Sequence, residues 1–195
     1  MPDYQLKETK TFDYKKPEIT NGYADQTLYV NLSDAQIDIK PVDAKTKKTF
    51  IGGKGFDLWL LWNAVQPTTR WDDPDNALCI AAGPLGGTPI YPGSGKSIVA
   101  TLSPTTASVI DSNVGGYFGP YLKFSGFDAL EIQGKSTAEM VVFIDGVNQK
   151  VQLFETSGLP ENAYELSAIL TEHFAQGKPR NISVVSAGPG ANETL

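Results

Sequence analysis

Cysteine and histidine are almost missing from this sequence: Cys79 and His173 each stand alone among 195 residues. One thiol makes no disulfide framework and no thiolate metal site within the chain. One imidazole and one thiol cannot assemble a Ser-His-Asp or Cys-His nucleophile set. Apolar runs are short, and none reaches the about 18 consecutive residues of a membrane helix. Met1-Pro-Asp-Tyr-Gln-Leu-Lys7 lacks the apolar region of a signal peptide. Positive charge is scarce too: 16 Lys+Arg against 22 Asp+Glu give a net charge of −6, with no basic stripe for nucleic acid. These absences predict a reduced, cytoplasmic protein with no membrane span, and the length suffices for a real core.

What the chain has instead is glycine and proline, 19 and 13 residues. They gather in the stretch from Leu78 to Phe124, around which the rest is organised. There a short apolar strand runs into a turn rich in glycine and proline, then a strand pair, then Asn113-Val-Gly-Gly-Tyr-Phe-Gly119 opening a helix. Without Cβ atoms, backbone N–H groups can approach a ligand closely, and unpaired amides before a helix favour an anionic guest, most often a phosphate.

Residues 1–25 are polar and without clear periodicity, and read as an extended arm before a domain spanning 26–195. Period-two alternation predicts a hairpin over 27–40, and helical spacing predicts a helix over 53–65, buried on most sides with Trp59 and Trp62 in the core. Strands follow at 78–82 and 129–133, a hairpin with an Asp145-Gly146 turn at 140–155, a helix at 160–175 and a strand at 182–186. Two units of the same strand-strand-helix-strand grammar emerge, each ending in Ala-Gly-Pro, at 82–84 and 187–189. A chance recurrence of common elements is the alternative. If the repeat is real, a second glycine-rich loop should follow Pro189. The sequence ends at Leu195, inside that loop.

Gly93-Ser-Gly-Lys-Ser97 invites a P-loop reading, but Ile90 stands where the first Walker glycine belongs. The β-branched run Ser97-Ile-Val-Ala-Thr-Leu102 after it predicts a strand, not a helix. Lys96 is either a point charge for a phosphate or polar ring, or a solvated turn lysine. Asn113 can cap the helix after it, with the glycines there for close packing. His173 sits at the boundary of its helix's apolar face. Asp72, Asp73 and Asp75 form a solvated turn, since Pro74 breaks the spacing of a calcium loop.

In order and spacing, Gly52-Gly-Lys-Gly55, Ala81-Ala-Gly-Pro-Leu-Gly-Gly-Thr88, Ser103-Pro104, Gly115-Gly-Tyr-Phe-Gly119, Leu122-Lys-Phe-Ser-Gly-Phe-Asp128 and Gly134-Lys135 resemble the N-terminal domain of the tungsten-containing aldehyde ferredoxin oxidoreductases, over roughly residues 22–195. The resemblance implies an α+β domain of two related halves. It forms a base under a bis-pyranopterin tungsten cofactor whose two phosphates are bridged by magnesium. By position, Asn113 offers its backbone carbonyl to that magnesium, while Gly115 and the neighbouring amides of Val114, Gly116 and Tyr117 hold pterin phosphate. Lys96 stands where the family usually has arginine; it keeps the charge and loses the planar fork.

The resemblance also implies what lies elsewhere. The second pterin-contact loop, the cysteines of a [4Fe-4S] cluster and the acid–base residues belong to later domains or to a separate subunit. This chain alone is therefore not expected to be catalytically sufficient. The implied activity is oxidation of an aldehyde to a carboxylic acid, with electrons leaving to ferredoxin or another electron-transfer protein, in a possible oligomer. Two alternatives stand beside it: the tungsten subunit of an aryl-coenzyme A (benzoyl-CoA type) reductase, and a scaffold domain that has lost the cofactor. Tungsten and molybdenum are not separated by these residues.

Overall fold

Part of the stretch read as an arm is a strand. In the computed structural model, which describes residues 4–193, β1 (Gln5–Asp13) pairs antiparallel with a strand near the other end of the chain. A register shift between Glu8 and Lys10 breaks its alternation, which is why period two is not legible there. β2 (Gln26–Asn31) and β3 (Gln36–Pro41) form the expected hairpin, with Leu28 and Val30 fully buried.

A helix not read from the sequence follows, α1 (Ala44–Phe50), started by the Asp43 side chain accepting from the Thr46 N–H at 2.6 Å. Gly52 and Gly53 separate it from α2 (Lys54–Ala64). Only one face of α2 is buried, that of Phe56, Asp57, Leu60 and Leu61. Trp59 is half-buried against Phe50, and Trp62 is 82% exposed, so the tryptophans are not the core expected of them.

β4 (Ala77–Ala82), β5 (Ser97–Leu102) and β6 (Val109–Val114) form a meander, and α3 (Phe118–Phe124) leads to β7 (Ala129–Gln133). β7 lies between β2, to which it is parallel, and β4, to which it is antiparallel, giving a six-stranded sheet in the order β3-β2-β7-β4-β5-β6. β8 (Glu139–Asp145) and β9 (Lys150–Ser157) make the second hairpin, and β9 takes up β1 in a three-stranded sheet. α4 (Ala163–Phe174) begins at an Asn162 cap, later than the proline-led start at 160, because the Asn162 side chain satisfies the Tyr164 and Glu165 N–H groups.

The larger sheet has a core on each face. Leu28, Val30, Ile80 and Leu130 pack with Val151 and Leu153 of the smaller sheet. Cys79, Ala81 and Ala129 pack under Phe56, Leu60 and Leu61 of α2. Small side chains on that face of β4 let the helix sit close. The α+β expectation holds.

The second unit has its hairpin and helix, but residues 182–188 are not a strand, although their sequence is β-branched and apolar. In the first unit β4 is held by β7 and β5, both supplied by residues that follow it. No such strands stand beside 182–188 among the described residues. The loop expected after Pro189 begins as a 3-10 turn, Pro189–Glu193, and its continuation at 194–195 lies outside the described residues.

Candidate functional site

Sheet register brings the glycine-rich segments together. Ala82 pairs with Ser97, and Ser97 with Val114, so the loops at 83–96 and 115–117 leave the same end of three adjacent strands. The turn before α2 joins them, its Gly53 N–H donating to the Ala82 carbonyl at 3.2 Å. The two loops touch: a Cβ on Gly95 would lie 2.4 Å from the Gly116 oxygen. A Cβ on Gly52 would lie 3.0 Å from the Gly83 Cα.

On their other side these glycines are open. Cβ atoms added at Gly83, Gly93, Gly115 or Gly116 would meet nothing within 4 Å. Gly116 takes φ +87°, which turns the chain between β6 and α3 in a conformation other residues resist. The result is a rim of exposed main chain whose closest approaches are already made of glycine. Packing alone explains Gly52, Gly95 and Gly119 but leaves Gly115 without a reason.

Each residue picked from the sequence falls on or beside this rim. Lys96 is exposed in the last position before β5, and its ammonium makes no hydrogen bond or ion pair among the described residues. Asn113 and Val114 end β6 opposite Ile98 and Ser97. Asn113 does not cap the helix: Tyr117 holds the N-cap position, and no side chain bonds there. The helix begins five residues beyond Asn113, out of its reach. Tyr117 is largely exposed and its ring stacks on Tyr121 at 5.7 Å.

Three residues went unnoticed in the sequence. Ser97 is buried with its hydroxyl unpartnered, next to Gly119, where a Cβ would come 3.1 Å from the serine's own. Asp57 is wholly buried on α2 with neither carboxylate oxygen bonded; burial first, and the charge of Asp111 second, push its pKa up to about 8. The apolar surroundings Gly-Phe-Asp-Leu-Trp-Leu-Leu were the available signal, since an acid in that pattern is out of place. Lys123 is also buried, in an ion pair with Asp128. Cys79 lies deep under α2, and burial pushes its thiol above the usual range, so it is packing rather than chemistry.

A cavity of about 460 Å³ lies away from the rim, between β8, β9 and the end of α4, lined by Phe143, Lys150, His173 and Phe174. His173 stands edge-on to Phe174 there, the boundary position expected of it. Among the described residues no three His, Cys, Asp or Glu side chains gather to hold a metal, and no helix is long and apolar enough to cross a membrane. An anion at the rim would be met by main-chain N–H groups and by Lys96, and a metal ion by main-chain carbonyls.

Residues 27–195 match the family described as aldehyde ferredoxin oxidoreductase, N-terminal domain. The chain belongs to that family. It is 35% identical over 169 residues to the tungsten-containing aldehyde ferredoxin oxidoreductase of Pyrococcus furiosus, covering 86% of this chain and 27% of that protein. The enzyme of the same description from Thermococcus kodakarensis is 32% identical over the same shares. A solved active-site complex BamBC of benzoyl coenzyme A reductase, bound to 1,5-dienoyl-CoA, superposes with a TM-score of 0.71 at 28% identity, over 80% of this chain and 24% of that one. The chain thus spans about a quarter of the length of these relatives, and is the N-terminal domain of a tungsten oxidoreductase family.

Proposed function

We propose that the rim holds one side of a tungsten bis-pyranopterin cofactor, in a protein that oxidises aldehydes to carboxylic acids. The observation that carries this is the open main chain at Gly115 and Gly116, of which Gly115 serves no packing purpose in the domain. The fit is chemical as well as steric. Main-chain N–H groups at 115–117 suit phosphate oxygens, and the free ammonium of Lys96 adds a positive charge beside them. The Asn113 backbone carbonyl would be the oxygen that serves a magnesium ion accompanying the phosphates, a hard cation that takes such ligands.

The cofactor supplies the two-electron redox chemistry, aldehyde and water giving acid, two electrons and two protons. This domain's residues do the holding. The amides of Val114, Gly115, Gly116 and Tyr117 orient the phosphate end, Lys96 offsets its charge, and Tyr117 walls the rim with its exposed ring. Lysine in place of an arginine fork gives a point-charge contact without the planar pair of hydrogen bonds. Later domains or a second subunit complete the site and carry the [4Fe-4S] cluster that passes electrons to ferredoxin or a similar protein.

The match to the benzoyl coenzyme A reductase complex favours one second reading, a tungsten subunit acting on an aryl-CoA thioester. Both readings share the cofactor and part at the substrate. The test is metal and pterin analysis of the full-length protein purified without oxygen beside its natural partners. Tungsten together with its paired pterins is the expected result; protein free of tungsten, molybdenum and pterin overturns the proposal. Turnover of aldehydes against aryl-CoA thioesters on the same sample then separates the two substrates.

A further inference from the structure

Segment 22–25, inside the stretch that looked like a featureless arm, touches two of the glycine-rich segments and the residues that carry a third. Gly22 leans on Pro84, where an added Cβ would lie 2.1 Å from the carbonyl oxygen. The Tyr23 hydroxyl donates to the Ile51 carbonyl at 2.7 Å, beside the Gly52-Gly53 turn. The Ala24 N–H donates to both Asp128 carboxylate oxygens, at 3.0 and 3.1 Å, and the Asp25 N–H donates to one at 2.8 Å.

Asp128 and Lys123 gather these contacts. Lys123 Nζ donates to Asp128 and, at 2.8 Å, to the Gly22 carbonyl. The Asp128 main chain accepts from the Ala82 N–H at 3.3 Å and donates to Gln26 at 2.8 Å, so it sits between β2 and β4 where the loop at 83–96 begins. Lys123 is carried by α3, the helix that follows the loop at 115–117. Both side chains are essentially inaccessible, at 2% and 0% exposure.

We infer that the buried Lys123–Asp128 pair is a positioning device, locking segment 22–25 and through it the 51–53 turn and the loop at 83–96, and through α3 the loop at 115–117, into one rigid rim for the cofactor. A buried ion pair is weak as a source of stability, because desolvation offsets its attraction and apolar replacements often do as well. Fixing the relative place of separate loops is what this pair does that apolar side chains cannot, since the pair also bonds the Gly22 carbonyl and the Ala24 and Asp25 N–H groups. A preorganised rim binds without first being ordered. The inference rests on the cofactor reading for its purpose, but the coupling itself does not.

The experiment uses the full-length protein and two variants. Lys123→Met leaves Asp128 buried and unpaired, so it is expected to unfold or be badly weakened. The double variant Lys123→Met/Asp128→Asn removes the stranded charge, and its amide oxygen still accepts from Ala24 and Asp25 N–H groups. It is expected to recover the thermal midpoint while amide hydrogen exchange at 83–88 and at 121–124, the turn of α3 that closes the loop at 115–117, rises about tenfold or more over wild type, with β2 and β7 unchanged. Pterin content is expected to fall about tenfold. Loops that exchange as in the wild type, with full pterin content, overturn the inference.

Native-state exchange on the wild type reads the same coupling whether or not the double variant folds. Segments 22–25, 83–88 and 121–124 are expected to open together with one free energy, and separate openings overturn the inference. A wild type without pterin but with joint opening refutes the cofactor reading and leaves the coupling standing.

Discussion

Asp57→Asn is expected to stabilise the domain by roughly 4 kcal/mol at pH 7 and by well under about 1 kcal/mol at pH 4. Asp57 is fully buried under α2, and neither of its carboxylate oxygens has a partner. Burial, then the neighbouring Asp111 charge, hold its folded pKa near 8, against about 3.9 for an aspartate in an unfolded chain. The folded state therefore keeps a proton that the unfolded chain releases. The stability this group contributes is complete below about pH 4 and is lost as pH rises towards 8, at about 1.4 kcal/mol for each pH unit. Asparagine has the same shape, stays neutral and leaves the same kind of unbonded polar atoms, so only the ionisation is removed. Urea unfolding of wild type and variant from pH 4 to pH 8 checks it: the two curves should meet at the acid end and part steadily above it. Parallel curves would mean that the carboxylate finds a partner or water.

Gly22→Ala carries the second large effect, a loss of about 3 kcal/mol or more. Two terms combine. At φ +81° an alanine is strained by about 1–2 kcal/mol, and its methyl would press on the Pro84 carbonyl from 2.1 Å, a backbone group that cannot turn aside. Gly93 is the control, with φ +83° and nothing within 4 Å of an added Cβ. Gly93→Ala should show the strain alone. Urea midpoints of the two variants separate clash from strain, and equal losses would show that segment 22–25 does not bear on Pro84.

The hairpins at 27–40 and 140–155, the strand at 78–82 and the helix at 53–65 were legible because each carries its own period and its own stop signals. β1 was not, since its bulge scrambles the alternation and its partner, β9, lies more than a hundred residues away in sequence. Residues 182–186 read as a strand and are not one, because pairing depends on neighbours that local sequence does not reveal. On the rim, the glycines and Lys96 stood out through motif order. Asn113 and Gly115 lie on the rim, although the cap assigned to Asn113 as a packing role fails once β6 is seen to run to Val114. Lys123 and Asp128 lay inside a quoted motif, yet nothing in a sequence says that a lysine is buried. Only the fold shows what the pair holds.

Gly115 tests the account most directly, because nothing in the domain's own packing needs it. Its backbone is not in the left-handed region, and an added side chain would point into open space. Gly115→Val should fold with a stability within about 0.5 kcal/mol of wild type. The decisive measurement is tungsten and pterin per chain in full-length Gly115→Val beside wild type, purified together without oxygen at matched thermal midpoints. A wild type loaded with tungsten and its pterins, and a variant depleted about tenfold or more, is the predicted result. Equal loading of the two proteins would contradict it, because the open rim at Gly115 would then not be where the cofactor sits.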